Sequence, residues 1–204
     1  MQVNPEAKQN RFALADQRNR GRAAGCMASS AERSDRIAGQ LTQGMSLGLE
    51  ITILVGTMTG TAQLVAQELE LRLDDGETAA RAVLMDNLNA DAIEPNKLYL
   101  ICSSTYGQGD VPDNAKQLYE SLQTQRPDLA SVSYGVIALG DRTYNETFCN
   151  GGRRFDQILG ELGAKRIGDI LLHDASAGTM PEEVAAEWID GWVALCKEQL
   201  GEAV

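Results

Sequence analysis

Cations are missing from this chain where glycine and threonine are most concentrated. No Lys or Arg occurs between Arg36 and Arg72. A Walker-type phosphate loop needs Gly-x-x-x-x-Gly-Lys-Ser/Thr, with its lysine on the outer phosphates. Here Gly60 is followed by Thr61 and Ala62, which argues against nucleoside triphosphate chemistry. Gly56 and Gly60 also miss the G-x-G-x-x-G spacing of a dinucleotide fingerprint. There is one histidine, His173, and the cysteines (Cys26, Cys102, Cys149 and Cys196) form no Cys-x-x-Cys pair. Neither zinc nor a thioredoxin-like motif is supported, and His173 reads as structural or solvated. Basic residues number 18 against 29 acids, which argues against general nucleic-acid binding. No apolar run reaches the roughly 20 residues of a membrane-spanning helix.

What is present is unevenly spread. The 204 residues, enough for one domain with an appendage, carry a net charge of −11. Residues 1–48 hold seven basic and four acidic residues, a surplus of three positive charges, which leaves −14 on the remainder. This first segment is rich in Gln, Asn, Arg, Gly, Ala and Ser and poor in large apolar residues. It reads as a disordered leader, or alternatively as an organellar transit peptide. The domain is expected over 49–204. Scattered thiols suit a reducing compartment such as the cytoplasm.

The stretch Gly56-Thr57-Met58-Thr59-Gly60-Thr61-Ala62 follows an apolar run over 49–55 and precedes a helical pattern over 63–73. Strand, hydroxyl-rich glycine loop and helix form the layout of a phosphate cradle. Without a cation, an anion here must be held by backbone N–H groups, the hydroxyls of Thr57, Thr59 and Thr61, and the helix N-terminus. Each hydrogen bond to a charged partner contributes about 1.5–3 kcal/mol, so four or five suffice for one phosphomonoester. The competing reading is a threonine-rich cap closing an ordinary helix.

Strand-like and helix-like segments then alternate. Strands are expected near 49–55, 80–85, 97–103, 133–139 and 165–172, and helices near 63–74, 114–124, 151–162 and 182–200. Alternation of this kind implies a parallel sheet with helices on both faces. In doubly wound sheets the ligand crevice lies beyond the carboxyl ends of the strands. Three loops there look specialised: 56–62, 103–113 and 140–150. The second contains Ser103-Ser104-Thr105-Tyr106-Gly107-Gln108-Gly109, whose glycines let backbone approach a flat ligand. The third, Gly140-Asp141-Arg142-Thr143-Tyr144, supplies a second tyrosine. Tyr106 and Tyr144 on opposite walls suit a planar ring between them. Asp110, Asp113 and Asp141 read as a rim for a basic partner or as turn chemistry.

Gly56 to Gln63 resembles the FMN phosphate loop of flavodoxins, and its Thr61-Ala62 ending is closer to the FMN domains of cytochrome P450 reductase and sulfite reductase. Ser104-Thr105-Tyr106-Gly107, with Gly109-Asp110 and Pro112-Asp113-Asn114, resembles the second flavin loop of that group. Leu139-Gly140-Asp141, with Tyr144, Phe148 and Cys149, resembles the third. The segment from Glu187-Trp188 to Trp192 is similar to the end of short, free-standing flavodoxins of the MioC type. The resemblance covers about residues 49–200.

It implies a flavodoxin-like α/β fold, a doubly wound five-stranded parallel sheet of order 2-1-3-4-5. It also implies noncovalent FMN, with the phosphate over Thr57, Met58, Thr59, Gly60, Thr61 and Ala62. The ring is expected between Tyr106 and Tyr144, with its polar edge near Ser104, Thr105, Gly107, Gly109, Leu139, Gly140, Asp141, Phe148 and Cys149. By the same resemblance the Gly107 carbonyl accepts the flavin N5–H once the ring has taken one electron. The implied function is electron transfer by a monomeric shuttle between a basic NAD(P)H-linked reductase and an acceptor, with no catalytic residue of its own. The alternative is an FMN-dependent NAD(P)H quinone reductase.

Overall fold

The computed structural model describes residues 48–201. The leader expected over 1–48 lies, apart from Gly48, outside the described residues. Eight-residue strand β1 (Leu49–Gly56) carries the apolar run LEITILV and enters the sheet near its centre. It pairs in parallel with β2 (Thr78–Leu84) on one side and β3 (Leu98–Ser104) on the other. Strand β4 (Ser133–Gly140) pairs with β3, giving the order β2-β1-β3-β4 before the last edge. A strand covered on both faces has no solvent side, so its sequence is continuously apolar instead of alternating.

Helix α1 (Thr61–Arg72) and helix α4 (Pro181–Gly201) share one face, where Val65, Leu69, Ile189 and Trp192 pack on Ile51, Ile53, Leu100 and Ile137. Helix α2 (Asp113–Gln125) and helix α3 (Asn150–Glu161) take the other, with Leu118, Leu122, Phe155 and Ile158 around Leu54, Ile101 and Val136. Trp188 and Trp192 stack with centroids 5.8 Å apart. Trp192 lies directly on the backbone of β4: a Cβ at Gly135 would sit 2.5 Å from its ring, so only glycine fits there.

The fifth position of the sheet differs in detail from the continuous strand expected over 165–172. It is filled by two segments, β5 (Lys165–Arg166) and β6 (Leu171–Asp174), both parallel to β4. Between them Gly168 adopts φ +68°, which turns the chain out of the ladder. The indole N–H of Trp192 holds the break closed by donating to the Ile167 carbonyl at 2.9 Å. The result is the predicted doubly wound parallel sheet of order 2-1-3-4-5, with helices on both faces. Among the described residues no helix is long and apolar enough to cross a membrane.

Candidate flavin site

Loop 56–62 leaves the carboxyl end of β1 and turns directly into α1. Gly60 makes the turn at φ +90°, and a Cβ there would meet nothing within 4 Å, so the space above it is open. No side chain caps α1. The first helical bond runs from Leu64 N–H to the Gly60 carbonyl at 3.0 Å, so the N–H groups of Thr61, Ala62 and Gln63 precede it. Orphan donors at a helix N-terminus attract anions. The Thr59 and Thr61 hydroxyls converge at 3.4 Å. Thr57 plays a different part: its hydroxyl accepts the Gly60 N–H at 3.0 Å and closes the loop on itself.

The second loop follows β3. Tyr106 and Asp110 form a short antiparallel bridge that folds Gly107 and Gly109 into a tight turn, both at positive φ. Thr105 ties this loop to its neighbour. Its hydroxyl donates to the Leu139 carbonyl at 3.0 Å and accepts the Gly151 N–H at 3.1 Å. The third loop follows β4 and is pinned at its start. Asp141 accepts the Thr143 N–H at 2.8 Å, and Asp174 at the end of β6 accepts the Arg142 N–H at 3.0 Å. That bond, with the Ser176 hydroxyl and N–H, holds the Asp174 carboxyl below the ordinary carboxylate range.

The three loops enclose a cavity of about 520 Å³, within the roughly 300–1,000 Å³ usual for cofactor sites. Of the residues predicted from sequence, Thr59, Thr61, Ser104, Thr105, Gly107, Leu139, Gly140, Asp141 and Tyr144 line it. Tyr144 is 68 % exposed, an open aromatic face. Thr57, Met58, Gly60, Ala62, Tyr106, Gly109, Phe148 and Cys149 stand outside the lining. The reasons are local. The Met58 sulfur accepts the Asp113 N–H at 3.2 Å, which pulls it toward α2. Ala62 is buried beneath the loop, and Tyr106 is 47 % exposed on the rim. A Cβ at Gly109 would lie 2.8 Å from Asn150 and 3.0 Å from Thr147, so its role is close packing. Phe148 lies under the Arg142 guanidinium. Cys149 is buried, its thiol donating to the Ala138 carbonyl at 3.1 Å, and burial pushes it up to about 11.

A fourth wall was not legible in the sequence. His173, Ala175, Thr179 and Pro181, from β6 to the start of α4, complete the lining with Thr147. His173 is 4 % exposed, with Nε2 3.1 Å from the Thr179 carbonyl and 3.2 Å from its hydroxyl.

A family model described as flavodoxin matches residues 53–188. The chain belongs to the flavodoxin family. It is 40% identical over 146 residues to Flavodoxin YqcA of Escherichia coli strain K12, covering 72% of this chain and 97% of that protein. To Protein MioC of the same strain it is 36% identical over 151 residues, covering 72% and 99%. A solved structure of a mutant flavodoxin from Pseudomonas aeruginosa matches with TM-score 0.65 and 33% identity, over 73% of this chain and 99% of that one. The chain is therefore an FMN-binding electron-transfer protein. Its residues fit that cofactor: an uncapped helix start with open space over Gly60 suits the phosphate, and a roomy cavity beside an exposed tyrosine suits the ring.

Proposed function

We propose that this flavodoxin is a one-electron shuttle, reduced by a basic NAD(P)H-linked reductase and oxidised by an acceptor enzyme. The observation that carries this is the cavity itself. Its lining supplies hydroxyls, backbone and one aromatic face, and the ionisable side chains on it are Asp141, Tyr144 and His173. Bound FMN supplies the redox chemistry; the protein holds and tunes it. Thr57, Thr59, Thr61 and the first N–H groups of α1 would hold the phosphate. Tyr144 and Tyr106, both exposed on neighbouring loops, would flank the ring. Gly107, at φ +55° with open space around its Cα, gives the peptide beside the ring freedom to reorient.

Docking to a basic partner rests on the overall charge of −11. The three rim acids contribute less to it than their sequence positions suggest. Asp113 pairs with Lys116 at 2.5 Å, Asp110 with Arg154 at 3.1 Å, and Asp141 serves the 143 turn. The protein works as a monomer in the cytoplasm; the free thiols Cys102, Cys149 and Cys196 suit that reducing compartment. Stepwise reductive titration of the FMN-loaded protein, followed by visible absorption, tests the reading. Two separated one-electron steps are expected. Direct two-electron bleaching by NADPH alone, with no separated steps, would instead identify a quinone reductase.

A further inference from the structure

Asn114 lies in the first turn of α2, outside the cavity lining, yet its side chain is bonded to both ends of the turn that opens the phosphate loop. Its side-chain carbonyl accepts the Thr57 N–H at 2.9 Å. Its amide nitrogen donates to the Val55 carbonyl at 3.1 Å and to the Asp86 carboxylate at 3.3 Å. The amide carbonyl and both amide protons are thus engaged. The flipped amide would set N–H against N–H at Thr57, so the orientation is fixed by its partners.

The position is tight as well as bonded. Val55 is the penultimate residue of β1, and its carbonyl also accepts the Met85 N–H at 3.0 Å. A Cβ at Gly56 would lie 3.3 Å from Ala115 and 3.0 Å from the Ser103 hydroxyl. One residue before Asn114, the Asp113 N–H reaches Met58. The start of α2 thus grips residues 55, 57 and 58 at once. With the Thr57 N–H spent on Asn114 and the Gly60 N–H spent on Thr57, the loop is held both from α2 and within itself. The Thr57 hydroxyl only accepts in the Gly60 bond and keeps its own proton, so the donors left for an anion include the hydroxyls of Thr57, Thr59 and Thr61 and the first N–H groups of α1.

We propose that Asn114 is a positioning residue for the cofactor's phosphate, acting through Thr57, and that it sets the discrimination between FMN and phosphate-free riboflavin. This rests on the flavin reading of the cavity. A cradle without lysine or arginine depends wholly on donor geometry, so a loosened loop loses phosphate recognition before it loses the ring.

The test uses the full chain stripped of flavin and measures binding of FMN and of riboflavin by quenching of flavin fluorescence. In Asn114→Ala the FMN dissociation constant is expected to rise roughly ten- to a hundredfold, the effect of losing a hydrogen bond or two to a charged group. That for riboflavin should change less than about threefold. Asn114→Asp is the second variant: a carboxylate keeps the Thr57 bond, cannot donate to Val55 and faces Asp86, so its FMN loss should be similar. It decides the matter if the alanine variant does not fold. Equal losses for both flavins, or no loss of FMN affinity, would overturn the proposal. A parent protein with no preference for FMN over riboflavin would also overturn the proposal, whereas one that binds neither flavin would overturn the flavin reading beneath it.

Discussion

Replacing Thr105 by valine separates two roles that its place in the sequence makes look alike. As a cofactor donor, Thr105 would be silent until flavin binds. In the structure its single hydroxyl proton is already given to the Leu139 carbonyl at 3.0 Å, and its oxygen takes the Gly151 N–H at 3.1 Å. Valine keeps the branched shape and removes both bonds. Each is worth about 0.5–1.5 kcal/mol net. The Thr105 side chain is only partly buried, so the sum is taken in the lower part of that range, about 1–2 kcal/mol. Urea slopes for a domain of this size are about 2 kcal/mol per molar, so the midpoint should fall by about 0.5–1 M. The assay is urea unfolding of the flavin-free protein, read by the fluorescence of Trp188 and Trp192. Thr105→Ser should restore most of the midpoint, because serine retains the hydroxyl. An unchanged midpoint in Thr105→Val, together with weakened FMN binding, would show that the hydroxyl serves the cofactor and not the loops.

Buried and bonded groups elsewhere give two more expected outcomes. Burial pushes the Cys102 and Cys196 thiols up to about 12 and Cys149 up to about 11. Iodoacetamide at about pH 8 should therefore modify these three on the order of a hundredfold more slowly in the native protein than in urea. Peptide mass mapping reads the rates, and rapid native labelling of Cys149 would mean that loop 140–150 opens. The Asp174 carboxyl is held low by the Arg142 N–H and by Ser176. A depressed folded-state value stabilises the protein above the ordinary aspartate value of about 3.9, and that stability is lost as pH falls through the folded value. Asp174→Asn should lower Tm at about pH 7 and flatten the fall of Tm between about pH 5 and 2. An unchanged acid limb would remove Asp174 from the account.

The alternation of apolar runs with helical patterns was enough to place the main strands and helices within a few residues, because parallel strands buried on both faces leave an unbroken apolar signature. Gly163 sits just past α3 at φ +90°, the left-handed turn that ends many helices. The split of the last strand was not legible. It depends on Gly168 and on an indole from α4, 25 residues along the chain from the carbonyl it binds. At the site, glycine and threonine spacing marked the three loops. It did not distinguish residues that face the cavity from residues that hold the loops together. Thr57, Thr105 and Asn114 each hold a loop through bonds that only the folded structure shows, and Thr105 does so while lining the cavity.

The layered α/β architecture, the cation-free cradle and the convergence of three loops at one rim were all written in the linear chain. They depend on local periodicity and on turn chemistry carried within a few residues. Which hydroxyls and amides remain available to a ligand was settled by tertiary packing, because each hydroxyl or backbone amide has one proton to give. At this rim the competing acceptors come from strands and helices far apart in the chain.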